Sequence, residues 1–129
     1  KIFSGVLADK NNPEHLADLK KYDIPIFDIV ACNFYPFEES ISKKVINHEE
    51  AIFNLDIGGP AIVRCAAKNY KNVAILTDPK DYKQVLKEID EFGAVSEETR
   101  KKLSLKAFKY AHSYDTLIIK YLSKFFKHV

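Results

Sequence analysis

The chain has 129 residues, of which 47% are apolar, so it is long and hydrophobic enough to form one domain with a core. Its 20 basic and 18 acidic residues leave a net charge of +2, which is too balanced to indicate nucleic-acid binding. Cys32 and Cys65 lack the CxxC or Cys/His spacing of a metal site, so we predict none. No signal peptide or membrane-spanning run is evident, and we expect a cytoplasmic protein without a membrane partner.

The first elements are predicted from apolar runs and helix-start signals. The apolar run over residues 2–7 indicates a short strand, and Asn12-Pro13 opens a helix with a capping side chain and a first-turn proline. Residues 26–32 form a nearly continuous apolar run, which predicts a strand buried on both faces of a parallel sheet. Residues 38–46 are polar and predict a loop, after which Asn47 caps a short helix.

The segment Asn33-Phe34-Tyr35-Pro36-Phe37 follows the predicted strand. Ligands of open α/β sheets bind beyond the carboxyl ends of strands, so this segment is correctly placed for a site. Phe34 and Phe37 also fit an aromatic plug that closes the sheet. Asn33 and Tyr35 carry polar groups that need partners, so both a pocket-facing role and a buried role stay open for them.

The stretch over residues 54–70 carries the candidate chemistry. Asp56 precedes Gly58 and Gly59, which let the backbone approach a ligand closely, and Pro60 opens a helix without losing a hydrogen bond. The free amides of such a helix start suit a carbonyl or phosphate oxygen. The ordinary structural interpretation of this pattern is a capping acid followed by a turn.

Two basic residues lie on the predicted helix beyond this start. Lys68 falls two turns into the helix on a face of small residues, with Arg64 one turn earlier. Asp56 and Lys68 are therefore predicted to form an acid–amine pair that serves one pocket. A solvated surface charge is the alternative for Lys68. Arg64 either pairs with Asp56 or supports the loop.

The second half of the chain predicts one strand and two helices. Residues 73–77 indicate a second buried strand, and Asp78-Pro79 starts a helix that Gly93 ends. This helix carries a core-facing stripe at helical spacing: Tyr82, Val85, Leu86, Ile89 and Phe92. A last long helix begins at Ser96 and has an apolar seam that packs on the body or on another chain. No linker or repeat is visible, so residues 1–129 are predicted to form a single α/β domain.

Three motifs stand together in this order: Cys32-Asn33-Phe34-Tyr35-Pro36-Phe37, Asp56-Ile57-Gly58-Gly59-Pro60 and Arg64-Cys65-Ala66-Ala67-Lys68-Asn69. The chain resembles the inosine monophosphate cyclohydrolase domain, which forms the N-terminal part of the bifunctional purine-biosynthesis enzyme that also carries a formyltransferase. The resemblance runs from Lys1 to about Leu122. It implies the methylglyoxal-synthase-like fold, a small Rossmann-like parallel sheet with helices on both faces.

The resemblance also implies a reaction. The family closes the purine ring of 5-formamidoimidazole-4-carboxamide ribotide to inosine monophosphate with loss of water, and neither a metal nor an organic cofactor is implied. Asp56 would take a proton from the carboxamide nitrogen, and Lys68 would donate one to the departing oxygen. Tyr35 would complete the catalytic set and help to orient the formyl group.

The same resemblance gives the substrate-binding candidates, which are Asn33, Ile57, Gly58, Gly59 and Arg64. The backbone amides of the three residues before Pro60 would stabilise oxygen charge in the tetrahedral adduct. Asn33 would orient the formyl group. Arg64 is the weakest candidate, because it has two other predicted uses.

Two parts of the family are expected to be missing from this chain. Roughly the N-terminal third of the cyclohydrolase domain, with its phosphate-binding loops and a catalytic lysine, is one, and the formyltransferase domain is the other. We therefore expect an incomplete sheet and a chain that needs the missing N-terminal segment as a partner for folding and activity. The resemblance also allows a homodimer. Two alternatives stay open: a non-catalytic ribotide-binding or partner-binding module, and a ligand-sensing domain like the allosteric domains of carbamoyl phosphate synthetase.

Overall fold

The computed structural model describes residues 1–42 and 46–126. Its helices and strands, in chain order, are α1 (Ile2–Leu7), α2 (Pro13–Lys21), β1 (Ile29–Ala31), α3 (Phe37–Ile41), α4 (His48–Phe53), α5 (Gly58–Lys68), β2 (Ala74–Leu76), α6 (Tyr82–Phe92) and α7 (Glu97–Phe125). A 3-10 turn at Pro79–Asp81 leads into α6. Within the described ranges, no helix is both long enough and apolar enough to cross a membrane.

The predicted helix ends are confirmed by their caps. The side chain of Asn12 accepts the amides at the start of α2, and the side chain of Asn47 does the same for α4. Ser96 accepts the Thr99 amide at the start of α7. Gly93 ends α6 with a φ of +74°, a left-handed conformation that favours glycine.

The two strands form a small parallel sheet, which confirms the predicted α/β class. Ile29 pairs with Ala74, and Ala31 pairs with Leu76. All three residues of β2 are buried, as predicted for a central strand. The helix α7 packs against both β2 and α5, so the core lies between these three elements.

The prediction that β1 is buried on both faces is wrong. Ile29 is 38% exposed, and Ala31 is exposed as well. Their side chains point to the same face of the sheet. There a groove of about 200 Å³ separates them from α6. Because no side chain of the described ranges fills this groove, β1 is not buried on that face. Its apolar composition is nevertheless that of a central strand.

The stripe on α6 is only partly a core stripe. Val85 is buried and Ile89 is half-buried, as predicted. Tyr82, Leu86 and Phe92 are 37%, 59% and 75% exposed, so the prediction is wrong for these three. Tyr82 and Leu86 line the groove beside β1, so the sheet leaves this part of the apolar face of α6 uncovered.

Residues 2–7 form α1 and not the predicted strand. A short apolar run cannot be assigned to helix or strand by periodicity, and tertiary contacts decide here. Val6 is buried in the core, and Gly5 lies so close to the carbonyl of Pro25 that a Cβ would come within 2.2 Å of it. The side chain of Asn69 donates to the carbonyls of Val6 and Ala8, which completes the end of the helix.

The predicted loop over residues 38–46 contains the short helix α3 up to Ile41. Phe37 anchors this helix, because its side chain is only 1% exposed and packs against the aromatic rings of Tyr114 and Tyr121. Phe37 is therefore buried, but it packs in a cluster with α4 and α7 and does not close the sheet as the aromatic-plug interpretation supposed. The remainder of the predicted loop includes residues 43–45, which lie outside the described residues.

The long last helix is confirmed, and it packs lengthwise on the body. The buried members of its seam are Leu103, Ala107, Ala111, Tyr114 and Tyr121. Ser104 adds a polar link, since its hydroxyl donates to the carbonyl of Ala67 on α5 at 2.6 Å. Small side chains on both helices allow this close approach, because Ala66, Ala67 and Ala107 are fully buried.

Arg100 fastens the start of α7 to the loops beside it. Its guanidinium donates to the carbonyl of Tyr70 at 2.8 Å, to that of Lys71 at 3.0 Å and also to that of Val95. The guanidinium group has five N–H donors spread over a rigid fork, so its three nitrogens can each serve a carbonyl at a different position. The three carbonyls belong to loops that join different elements, so one side chain orders two connections.

We predict that Arg100→Lys lowers the free energy of unfolding by about 1–3 kcal/mol, because an ammonium group cannot reach all three carbonyls and leaves partly buried acceptors unpaired. Urea denaturation followed by circular dichroism measures the change. Lys101→Gln is the matched control, since Lys101 only pairs with Glu97 on the exposed side of the same turn. Equal loss in both variants would contradict the role given to Arg100.

Candidate functional site

The carboxyl ends of β1 and β2 lie at the same edge of the sheet because the strands are parallel. Asn33 and Tyr35 follow β1, and Thr77 follows β2. The side-chain amide of Asn33 donates to the carbonyl of Thr77 at 2.8 Å, which ties the two strand ends together. The fold therefore brings Asn33 and Tyr35 to the carboxyl edge of the sheet, which is where the sequence predicted a site.

Asp56 is the central group of this edge. Its Oδ1 accepts the amide of Gly59 at 2.7 Å, and its Oδ2 accepts the amide of Tyr35 at 3.3 Å. The carboxylate therefore joins the segment after β1 to the first turn of α5. The capping role that was the structural interpretation of Asp56 is present, and the side chain is still only half-buried.

Gly59 is what allows Asp56 to lie so close to the helix. A Cβ on Gly59 would come within 2.4 Å of Oδ2 of Asp56 and 3.0 Å of the ring of Phe34. At Gly58 a Cβ would meet nothing within 4 Å. Of the two neighbouring glycines, only Gly59 is required by the packing of the site.

An exposed rim surrounds the carboxylate. Tyr35 is 62% exposed and Ile57 is 78% exposed, so both side chains are free to contact a ligand. Within residues 1–42 and 46–126, the amides of Ile57 and Gly58 have no hydrogen-bond acceptor. These two N–H groups lie at the start of α5, where the helix dipole favours an oxygen with negative charge.

Asp56 carries the negative charge of the site, and its neighbours stay neutral. Burial raises the pKa of the Cys32 thiol, and the charge of Asp56 raises it further. Burial also raises the pKa of the Tyr114 hydroxyl, although its hydrogen bond with the Asp56 backbone opposes the shift. A thiol and a phenol with raised pKa values keep their protons at neutral pH.

Arg64 is paired with a residue that the sequence did not indicate. Its guanidinium donates to Asp115 on α7, and each side chain is a little over 40% exposed. The predicted pairing with Asp56 is wrong, because Asp115 takes the guanidinium on the outer side of α5. Arg64 ties α5 to α7 and lies at the periphery of the site.

Lys68 lies at the other end of α5 from Asp56, so the predicted acid–amine pair stays a prediction that the single chain does not support by proximity. Lys68 is the last residue of α5, and the 11 residues of this helix separate its ends by about 15 Å. The helix starts at the carboxyl edge and ends before β2 begins, so Lys68 lies toward the opposite edge of the sheet. Its side chain is exposed there.

Two tyrosines on α7 belong to the site although the sequence did not single them out for it. The Tyr114 hydroxyl accepts the Asp56 amide at 2.8 Å, and the Tyr110 hydroxyl accepts the Phe34 amide at 3.0 Å. The available signal was a pair of tyrosines four residues apart on a largely buried helix face. Tyrosine hydroxyls in such places usually have a hydrogen-bond partner.

Metal ligation is not evident in the described ranges, which contain no group of three or more His, Cys, Asp or Glu side chains able to hold an ion. Cys32 and Cys65 are free, half-buried thiols. Burial raises the pKa of Cys65, and the nearby Lys68 partly offsets that shift. Both thiols are therefore protonated and weak nucleophiles at neutral pH.

We predict that Gly59→Ala lowers the free energy of unfolding by about 1–3 kcal/mol, because the added methyl group overlaps the Asp56 carboxylate. Asp56 cannot rotate away without releasing the amides of Gly59 and Tyr35. Gly58→Ala is the matched control and should raise stability by about 0.4–1 kcal/mol through the unfolded state. Urea denaturation of the two variants measures the changes in the free energy of unfolding. Equal changes would show that the close approach of Asp56 to Gly59 is unimportant.

The chain is similar to proteins of one family. Residues 66–128 match the family model described as AICARFT/IMPCHase bienzyme. The bifunctional purine biosynthesis protein PurH of Thermoanaerobacter sp. (strain X514) is 52% identical over 122 residues, and the same protein of Bacillus subtilis (strain 168) is 44% identical over 122 residues. Each alignment covers 95% of this chain and 24% of the relative, so the chain spans about a quarter of the length of these relatives.

A crystal structure gives independent support for the fold. The crystal structure of ForH matches with a TM-score of 0.75 and 33% sequence identity, over 90% of this chain and 60% of that one. The α/β architecture with a small parallel sheet is thus shared with a known protein. The family resemblance found in the motifs is confirmed, and over 95% of its length this chain is similar to a segment of the bifunctional purine-biosynthesis proteins of the AICARFT/IMPCHase family.

Proposed function

We propose that the chain carries the cyclohydrolase site of this family and closes 5-formamidoimidazole-4-carboxamide ribotide to inosine monophosphate. The observation that supports this most is the Asp56 carboxylate, which is held by two amides at the edge where parallel sheets bind ligands. A base, free backbone amides and an exposed tyrosine lie within one short stretch of surface. Ring closure requires a base and an oxygen-stabilising group together.

Asp56 serves as the general base in this proposal. The carboxamide nitrogen of the substrate attacks the formyl carbon and must lose a proton as the new C–N bond forms. Each carboxylate oxygen of Asp56 accepts one amide, which leaves further lone pairs for the substrate proton. The hydrogen bonds to Gly59 and Tyr35 also fix the direction from which the base approaches, a condition for efficient proton transfer.

The amides of Ile57 and Gly58 serve the oxygen. The formyl oxygen gains negative charge in the tetrahedral adduct. It leaves as water after it takes up two protons, one removed from the carboxamide nitrogen by Asp56 and one released by the formamide nitrogen as the ring C=N bond forms. Two free N–H groups at the start of α5 can stabilise that charge. The Gly59 amide was predicted to do the same, but Asp56 already occupies it, so Gly59 is assigned to holding the base.

Tyr35 and Asn33 are assigned to the orientation of the formyl group. The backbone amide of Tyr35 donates to the Asp56 carboxylate, and the side chain of the same residue is exposed. The hydroxyl of Tyr35 is therefore available to a substrate that binds at the carboxylate. Asn33 uses its NH₂ group on Thr77 and keeps its carbonyl oxygen for a donor on the ligand. Positioning of this kind can contribute several kcal/mol, because the reacting groups belong to one flexible molecule.

Lys68 and Arg64 enter the proposal differently. We assign Arg64 to the support of α5 through its ion pair with Asp115. Arg64 would contact the substrate only at the rim of the site. Lys68 lies too far from Asp56 to share its substrate within one chain. We therefore assign Lys68 to the site of a second copy, in a homodimer of the kind that the resemblance allows. The exposed groove beside β1 is consistent with a further segment of the relatives as a partner, which also stays a proposal.

We predict that Asp56→Asn lowers kcat for ring closure by about 100-fold or more and changes KM little, because the amide keeps the shape and loses the basicity. All variants are assayed together with the N-terminal segment of the relatives, and the formation of the purine is followed by ultraviolet absorbance. Asp90→Asn, on the exposed face of α6, is the matched control and should keep the wild-type rate. A wild-type rate in Asp56→Asn would remove Asp56 from the mechanism.

We predict that Lys68→Ala is also inactive, and that mixing it with Asp56→Asn restores activity. If Lys68 acts on a second copy, equal mixing gives dimers with one intact site and about one quarter of the wild-type rate. The mixture is assayed after exchange of subunits at dilute concentration. Loss of activity without recovery on mixing would place Lys68 in the site of its own chain, against the geometry described above.

A further inference from the structure

We infer that the hydroxyls of Tyr110 and Tyr114 are positioning groups that set the distance between the two halves of the site. This inference rests on the proposed function, because it gives these tyrosines a role in ring closure through Asp56. Neither residue is placed against the substrate. Their effect comes from the two backbone amides that they hold.

Tyr114 holds the base at its backbone. Its side chain is only 8% exposed, and its hydroxyl oxygen accepts the amide of Asp56 at 2.8 Å. Asp56 lies before the first residue of α5, where helical hydrogen bonds do not fix the chain. Without the hydroxyl, the backbone of the base would depend on its side-chain contacts alone.

Tyr110 holds the other half of the site in the same manner. Its hydroxyl accepts the amide of Phe34 at 3.0 Å, between the residues assigned to orientation. The ring of Phe34 stacks on Tyr110 with a centroid distance of 4.3 Å and meets Tyr114 edge to face at 4.9 Å. Phe34 is thus enclosed by the two tyrosines, and its neighbours have little freedom to shift.

The two tyrosines act as one unit because they are four residues apart on α7. Residues at this spacing lie one turn apart on the same helix face, about 5–6 Å between their Cβ atoms. The helix therefore fixes the separation of the amides of Phe34 and Asp56. The two segments are also joined directly, because the amide of Tyr35 donates to Oδ2 of Asp56 at 3.3 Å. A rigid helix thereby determines how the base faces the group that orients the formyl.

Tyr114→Phe removes only the hydroxyl and tests this inference directly. We expect about a tenfold loss in kcat with KM changed by less than about twofold, because the base moves while the ligand contacts remain. Tyr110→Phe should act in the same direction. Tyr121→Phe is the matched control, since this hydroxyl on the same helix bonds His48 away from the site, and its kcat should stay at the wild-type value.

A double variant separates positioning from a general structural role. If Tyr114 acts through Asp56, adding Tyr114→Phe to Asp56→Asn lowers kcat further by less than about twofold, since the group being positioned is already gone. A tenfold loss in both backgrounds would overturn the inference. An unchanged kcat in Tyr114→Phe alone would overturn it as well.

Amide hydrogen exchange keeps this test independent of the proposed function. In the wild-type chain the Asp56 amide should exchange slowly, and in Tyr114→Phe it should exchange at least about tenfold faster while amides of the α5 interior stay protected. A wild-type chain that shows this exchange pattern but no turnover, even after the N-terminal segment of the relatives is added, would contradict the proposed reaction and support the positioning of Asp56. Equal exchange of the Asp56 amide in both proteins would overturn the inference whatever the turnover.

Discussion

The carboxylate of Asp56 lies against the backbone at the start of α5, and the arrangement of the carboxyl edge depends on that contact. One oxygen accepts the Gly59 amide and the other accepts the Tyr35 amide, so a single side chain joins the helix to the segment after β1. The contact is possible only because residue 59 has no Cβ. These capping contacts leave the carboxylate only half-buried, so the structural interpretation of this motif is compatible with the proposed functional one.

The packing of α7 on α5 gives this contact its rigid support. Alanines on both helices bring the backbones close, and Ser104 donates across the contact to Ala67. Farther along α7, Asp115 pairs with Arg64 of α5 on the outer side of the contact. The neighbouring Tyr114 accepts the backbone amide of Asp56 on the inner side. One helix thus holds both the backbone before α5, through Tyr114, and the middle of α5, through Asp115.

Local signals made much of the fold and part of the site predictable. Asn12, Ser96 and Gly93 act on residues within one turn, so their caps could be predicted from the sequence and are confirmed. The α1 segment could not, because the close fit of Gly5 and the burial of Val6 are set by residues distant in the chain. The incomplete burial of β1 could not be predicted either. The apolar composition of a strand shows that it is suited to burial, but it does not show whether another element packs on it.

The site shows the same division between local and distant information. The placement of Asp56 before a glycine-rich helix start was readable, because turn and cap chemistry is local. The separation of Lys68 from Asp56 was missed because a shared helix face says nothing about distance along the axis, which here is about 15 Å. The roles of Tyr110 and Tyr114 depend on contacts across 76 and 58 residues, which helical spacing alone does not indicate.

Those long sequence separations determine when the site can form. The amides of Phe34 and Asp56 receive their partners only after α7 has docked, and α7 is the last helix of the described chain. Closing loops of this length costs conformational entropy before any contact is gained, so the local turns and caps precede it. We therefore expect Phe34 and Asp56, in the first half of the sequence, to reach their final positions late in folding, once the final helix has packed.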